Sequence, residues 1–204
     1  MDFDFTDDQE HLRDAVRKWV DKGYSFERRQ GIVRAGGFSR EAYTELAQLG
    51  LAGLYIPEAH DGLGMGPVEG MVVMEELGRG IVLEPLVQTL IAGGVLSGYA
   101  PEAVKAAWLP RIASGEALVV LAQQERAARY QLDVCAAKAA QAGTGWTVSA
   151  SKSIVSVGDQ ADAFIVPATV GGKMALFLVE RSANGITTRG YGTQDGGRAA
   201  EVTL

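Results

Sequence analysis

Apolar residues recur with a helical period through the first half of the chain and with a strand period through the second. Leu12, Val16, Trp19 and Val20 fall at i, i+4, i+7 and i+8, one face of a helix. Thr6 is a good N-cap for it. Gln9 three residues later completes a capping box, Phe5 is placed to staple onto the first turn, and Gly23 ends the helix. Ser39 caps a second predicted helix with Tyr43, Leu46, Ala47 and Leu49 on its core face. A third runs from Pro67 to Leu77, with Pro67 in its first turn and Val68, Met71, Val72 and Glu75 sharing a face. Residues 86–97 read as a buried apolar helix, and Pro101 opens a further one carrying Val104 and Trp108. The stretch from Leu109 to Glu116 reads as a short terminal piece.

Beyond residue 117 the period shortens. Leu118 to Ala122 is a continuous apolar run, as a buried strand requires. Trp146 to Ser149 and Ile154 to Val157 alternate, and Ala163 to Val166 is apolar up to Pro167. Gly171-Gly172 is a two-residue hairpin signal, with Ala175 to Val179 returning from it, and Asn184-Gly185 is a second turn. Ile186 to Arg189 and Ala200 to Leu204 complete the predicted strands. The pattern predicts an α+β chain: an all-α domain over 1–117, then an antiparallel, β-barrel-like domain over 118–204. The chain ends inside its last predicted strand without a charge or proline to blunt the edge, so part of that β-domain is expected to be missing or supplied by a partner.

Charge divides at the same place. The 204 residues carry a net charge of −6; residues 1–117 hold −7 of it and residues 118–204 are at +1. There is no basic run, which argues against a nucleic-acid partner. The start, Met1-Asp2-Phe3-Asp4-Phe5, has no hydrophobic signal core. The longest apolar region, Ile81 to Ala100, is broken by Glu84, Pro85 and Gln88, which argues against a membrane span. A single cysteine excludes an intrachain disulfide and points to a reducing, cytoplasmic setting.

Little of the titratable chemistry stands out. His11 and His60 lack metal-ligand spacing, and no metal is expected. Cys135 reads as an inert thiol on a strand. Glu75-Glu76 lies on a helix, where Glu76 or Arg79 would form a surface or interhelical pair. Asp61-Gly62-Leu63-Gly64-Met65-Gly66 resembles a phosphate loop. However, Pro67 replaces the last glycine of G-x-G-x-x-G and no βαβ context surrounds it, so phosphate binding is not expected there. Glycine is abundant, 26 of 204 residues, and these glycines fall mostly at helix ends, hairpins and that loop.

A set of short motifs, in order, carries a resemblance. They are Phe5-Thr6-Asp7-Asp8-Gln9 with Leu12-Arg13, Leu49-Gly50-Leu51-Ala52-Gly53-Leu54 followed by Pro57-Glu58, and Gly62-Leu63-Gly64. Glu75-Glu76-Leu77-Gly78-Arg79, Trp108-Leu109-Pro110 and Ala113-Ser114-Gly115-Glu116 follow. The chain resembles the N-terminal half of an acyl-CoA dehydrogenase: the helical domain and part of the middle β-domain, without the C-terminal helical domain. Gln124-Glu125-Arg126 with Arg129-Tyr130 is similar to the small-subunit, pimeloyl-CoA-dehydrogenase-like branch.

That resemblance implies an oxidoreductase that uses FAD to remove hydrogens from the α and β carbons of an acyl-CoA thioester. Gln124 takes the place of a flavin-contacting Thr. Ile154 stands where the family has a Trp against the flavin, and Ser156 keeps the hydroxyl near the flavin N5 region. Arg129 and Tyr130 occupy the Gly-Ser-Asp turn that runs along the CoA chain, and Arg129 is suited to a CoA phosphate. No residue matches the family's catalytic glutamate, so this chain alone is expected to be inactive. The implied partners are acyl-CoA, an electron-transfer flavoprotein, and further copies or a different subunit in a homo- or hetero-oligomer. Two alternatives stay open: a non-catalytic subunit of a heteromeric dehydrogenase, and a flavin-dependent oxygenase or oxidase on the same scaffold.

Overall fold

The computed structural model describes residues 4–204, so Met1 to Phe3 lie outside the described residues, and with them most of the leader reading. Two compact units emerge. One comprises residues up to Leu86 together with Gly93–Glu116, and the other comprises Val87–Ala92 with Ala117–Leu204.

The first unit is built from α1 (Asp7–Gly23), α2 (Phe26–Arg34), α3 (Arg40–Gln48), α4 (Pro67–Arg79), most of α5 (Leu86–Tyr99) and α6 (Glu102–Ala113). Thr6 and Gln9 form the expected capping box. The Arg13 guanidinium stacks 4.3 Å over the Phe5 ring. Helix α2 escapes the sequence pattern because only Ile32 is buried along it and Gly31 interrupts it. It is held from outside its own pattern, by the Ser25 cap and by Arg28, which donates two bonds to Glu45 at 2.7 and 2.9 Å. Leu49, expected in the core, is 38% exposed. On α4 the buried face is turned from the expected one. Val72, Val73, Glu76 and Leu77 point inward, while Val68, Met71 and Glu75 face solvent. Pro110 does not stop α6, which runs on to Ala113.

The burial of Glu76 follows from its partners. It accepts from Arg17 of α1 at 2.7 Å and from Arg79 at 2.6 Å, so the pair is both interhelical and intrahelical. The bond from Arg17, against the opposing effect of burial and with help from Arg79, holds its carboxyl below the usual glutamate range. As pH falls, the unfolded chain therefore takes up this proton before the folded chain does. The contribution is present above the unfolded value of roughly 4.3 and is lost below it. Glu76→Gln is expected to flatten the fall in melting temperature between about pH 5 and pH 3. Calorimetry across that range checks it, and an unchanged slope would contradict the assignment.

The glycine loop at 61–66 spends its amides on its own neighbours. The N–H groups of Gly62, Leu63, Gly64 and Met65 donate to the carbonyls of Pro57, Gly53, Ile56 and Leu54 at 2.8–3.2 Å. A phosphate cradle needs those donors free, so the loop is a packing device.

The second unit contains two sheets. In the first, β1 (Val119–Leu121), β2 (Lys138–Ala142), β3 (Gly145–Ser149), β5 (Ala163–Val170) and β6 (Lys173–Glu180) pair in the order β1-β5-β2-β3, with β6 on the other edge of β5. In the second, β4 (Ser151–Ser156), β7 (Thr187–Gly192) and β8 (Arg198–Thr203) pair in the order β4-β8-β7. The helical unit is followed by β-sheets, as expected, and among the described residues these do not close into a barrel. One expectation needs correction: the first sheet is mixed rather than antiparallel, because β1 and β2 both run parallel to β5. Strand β2, Lys-Ala-Ala-Gln-Ala, is missed by its composition, since alanine has little strand preference. Its five-residue antiparallel register with β3 defines it. Gly171 and Gly172 both adopt positive φ, as a type I′ hairpin requires.

Nor does the strand stop at Pro167; β5 continues to Val170. On the edge of β5 away from β6, the Ile165 carbonyl accepts from the Ala122 N–H and the Thr169 N–H donates to the Ala137 carbonyl. Pro167 lies on that outer side between the short pairings with β1 and β2, where no ladder bond asks for its absent N–H.

Candidate functional site

The end of β1 leads into Gln123 and Gln124, and a turn over 126–130 follows. The backbone of Gln124 is tied to β4, with Ser153 N–H donating to its carbonyl at 2.8 Å. That bond is made possible by a bulge. The register of β4 against β8 shifts between Lys152 and Val155. Ile154, inside the bulge, takes φ +53° and Val157 takes +46°. Positive φ is costly for β-branched side chains, by about 1–3 kcal/mol each, and persists only where the surroundings enforce it.

The alternation expected across 154–157 holds in burial: Val155 and Val157 are buried, Ser156 is half-buried and Ile154 is 56% exposed. The bulge breaks the period just before it, where Lys152 and Ser153 are both buried. Against this stretch lies an open cavity of about 370 Å³. Gln124, Arg129, Tyr130, Ile154 and Ser156, the five candidate residues, all line it. Leu121, Val134 and Met174 give it apolar walls; Gln123 and Ser153 add polar groups. Arg129 and Tyr130 also border a second cleft with Arg126, Arg189, Tyr191 and Glu201. Tyr130 is almost wholly exposed, and Arg129 takes φ +50°.

Beneath this wall lies a pair to which the sequence reading assigned no role. Lys152 is fully buried, and its ammonium donates to Glu125 Oε1 at 2.7 Å and to the Pro167 carbonyl at 2.8 Å. The Pro167 carbonyl thus finds its partner in the same gap that excuses its missing N–H. Glu125 also accepts from the backbone N–H of Ala136 at 2.7 Å and of Ala137 at 3.1 Å. Burial pushes its carboxyl up, but Lys152 and the two amides outweigh that and hold it below the usual range. The signal that could have found the pair is a lysine in the middle of a strand, two residues before Ile154, with a glutamate next to Gln124.

Cys135 lies on this cavity in an irregular segment, not on a strand as expected. Its thiol approaches Glu125 Oε1 at 3.7 Å and the Pro167 carbonyl at 3.4 Å. Burial above all raises its pKa, which lowers the thiolate fraction at neutral pH. The histidines are dispersed: His11 is exposed, and His60 meets Glu102 at 3.2 Å. Among the described residues no group of His, Cys, Asp and Glu could hold a metal, and no helix is long and apolar enough to cross a membrane.

Residues 6–116 match the profile of the acyl-CoA dehydrogenase N-terminal domain. The chain belongs to the acyl-CoA dehydrogenase family. Acyl-CoA dehydrogenase FadE12 of Mycobacterium tuberculosis is 30% identical over 193 residues, covering 89% of this chain and 49% of that protein. The ChsE4-ChsE5 complex of the same organism contains a chain of TM-score 0.89 and 25% identity, with 100% of this chain and 55% of that one covered. A glutaryl-CoA dehydrogenase of Mycobacterium smegmatis in complex with FADH2 shares the fold, with TM-score 0.85 and 20% identity over 98% of this chain and 53% of that one. The chain spans about half the length of the curated relatives it matches.

Proposed function

We propose that these residues form the helical and middle portions of an FAD-dependent acyl-CoA dehydrogenase, divided near residue 117, in which the cavity on the second unit is the flavin wall. The observation that carries the reading is the convergence of Gln124, Arg129, Tyr130, Ile154 and Ser156 on one cavity. Its chemistry fits a flavin ring. Cofactor pockets are of this size, mostly apolar, with a few placed polar groups. Gln124 offers both a donor and an acceptor to the edge of a pyrimidine, Ser156 offers a hydroxyl, and the exposed Ile154 offers an apolar aliphatic surface.

FAD, when bound, supplies the two-electron acceptor for α,β-dehydrogenation of an acyl thioester. The chain's own residues hold and orient the ring, and Arg129 and Tyr130 line the approach of the CoA portion. No residue of this chain is assigned as the base that takes the α-proton, so these 204 residues are expected to bind cofactor without turning over substrate. Electron-transfer flavoprotein is the expected acceptor of the electrons.

Purified protein incubated with FAD and desalted is expected to be yellow, with a band near ~450 nm. Ile154→Asp, which puts a charge against the apolar ring face, should weaken FAD binding by about tenfold or more. Fluorescence titration checks both; a chain that retains no FAD would overturn the cofactor reading.

A second reading has its own observation. Tyr130 and Arg129 bring bulk to a turn where the family has Gly and Ser, and the similar ChsE4-ChsE5 assembly has two different chains. A subunit of a heteromeric dehydrogenase would co-purify with a second dehydrogenase-like chain, and its homo-oligomeric alternative would not.

A further inference from the structure

The buried Lys152–Glu125 pair does more than join two side chains. Through it, four separate segments meet: the end of β1 at Gln124-Glu125, the 135–137 segment, β4 at Lys152, and β5 at Pro167. Each anchor lies beside a residue of the cavity. Glu125 follows Gln124. Lys152 precedes Ser153, whose N–H binds the Gln124 carbonyl, and Ile154, whose positive φ needs outside enforcement. Stability alone is a poor account of such a pair. Taking two charges out of water costs several kcal/mol each, and apolar side chains of similar volume often serve as well or better. What an apolar pair cannot reproduce is direction: four oriented hydrogen bonds meeting at one carboxylate and one carbonyl.

We propose that Glu125 and Lys152 are positioning residues. They set the geometry of the cavity wall formed by Gln124, Ile154 and Ser156, and so the fit of the cofactor against it. The inference rests on the flavin-wall reading for its functional meaning, while the geometry it asserts belongs to the protein alone.

The decisive variant replaces both charges by apolar groups, Glu125→Leu with Lys152→Met, in the full chain. Two readouts are needed. One is FAD affinity by fluorescence titration, with the position of the flavin visible band. The other is the rate at which Cys135, the one cysteine in the sequence, reacts with a disulfide reagent such as DTNB. Cys135 is next to the segment Glu125 holds; because Glu125 and Lys152 push its thiol pKa in opposite directions, the rates are compared at matched thiolate fraction from a pH series.

The double variant is expected to fold but to melt below the wild type, since the Ala136 and Ala137 N–H groups and the Pro167 carbonyl lose their partners. Even so, it should bind FAD about tenfold more weakly, shift the flavin band, and label at Cys135 about tenfold faster, since misplacement by even an ångström costs this much or more. A folded double variant with FAD affinity and thiol rate both within about twofold of wild type would make the pair structural only and overturn the proposal. So would a faster thiol with unchanged FAD affinity. If the wild-type chain binds no FAD, the flavin reading fails. The wall geometry is then still decided by the thiol rate and by hydrogen exchange at 153–156, which should speed up in the variant. Should the double variant not fold, Glu125→Gln, which keeps size and an acceptor, carries the same readouts with an expected loss of at least about threefold.

Discussion

Lys152→Met alone is expected to destabilise the protein by about 3–5 kcal/mol at neutral pH. The side chain is fully buried and its ammonium is the cation facing Glu125. Met fills the stem volume but leaves the carboxylate buried with two backbone N–H donors and the weak Cys135 thiol, and leaves the Pro167 carbonyl without the ammonium. In the variant the folded-state pKa of Glu125 rises, because the outweighing partner is gone and burial remains. The destabilisation is therefore largest above that raised value and shrinks as pH falls through it and the carboxyl protonates. Urea unfolding at pH 7 and pH 5 checks both the size and the sign. A loss under about 1 kcal/mol at pH 7 would mean that water reaches the pair.

Gly62→Ala is expected to cost about 3 kcal/mol, for a reason of space. A Cβ there would lie 2.0 Å from the Ile56 carbonyl oxygen and 2.4 Å from its carbon, and backbone atoms cannot swing aside. Gly64, two residues on, is the contrast. It has φ +60° but nothing closer than 3.8 Å to an added Cβ, so Gly64→Ala should cost only the backbone term, about 1–2 kcal/mol. Urea midpoints for the two variants separate crowding from conformation. Equal losses would contradict the packing role given to the loop.

Much of the fold could be read along the chain because its signals are local. The Thr6–Gln9 capping box, the Ser39 cap and the Gly171-Gly172 hairpin each depend on residues within a few positions of one another. Helix α2 and strand β2 could not be read this way. Their stability comes from Arg28 reaching Glu45 and from the β3 register, partners that no window over their own residues contains. The inward face of α4 was misjudged for a related reason. Sequence gives no ground for choosing between Glu75 and Glu76 as the inward carboxylate, and only the two arginines that reach Glu76 decide it.

The candidate site divides in the same way. Which residues to examine, Gln124, Arg129, Tyr130, Ile154 and Ser156, was legible from their order and neighbours in the chain. Their side-chain chemistry, an amide, a guanidinium, a phenol, an apolar face and a hydroxyl, is a property of composition alone. That they line one cavity is not, because the 124–130 segment and β4 are far apart in the chain and meet only through long-range contacts such as the Ser153 N–H to the Gln124 carbonyl. A two-residue period holds only while the ladder is regular, and regularity is set by what pairs across it. The Lys152–Glu125 pair is the furthest case: 27 positions separate the partners, and a fully buried lysine has meaning only once its carboxylate is in place. Sequence determined the elements, the turns and the chemical repertoire, since these are governed by short-range sterics and hydrogen bonding. Tertiary structure decided which strand bulges, which charges are buried and which residues share a wall, since those depend on long-range contacts whose energies cancel unless the partners meet in one geometry.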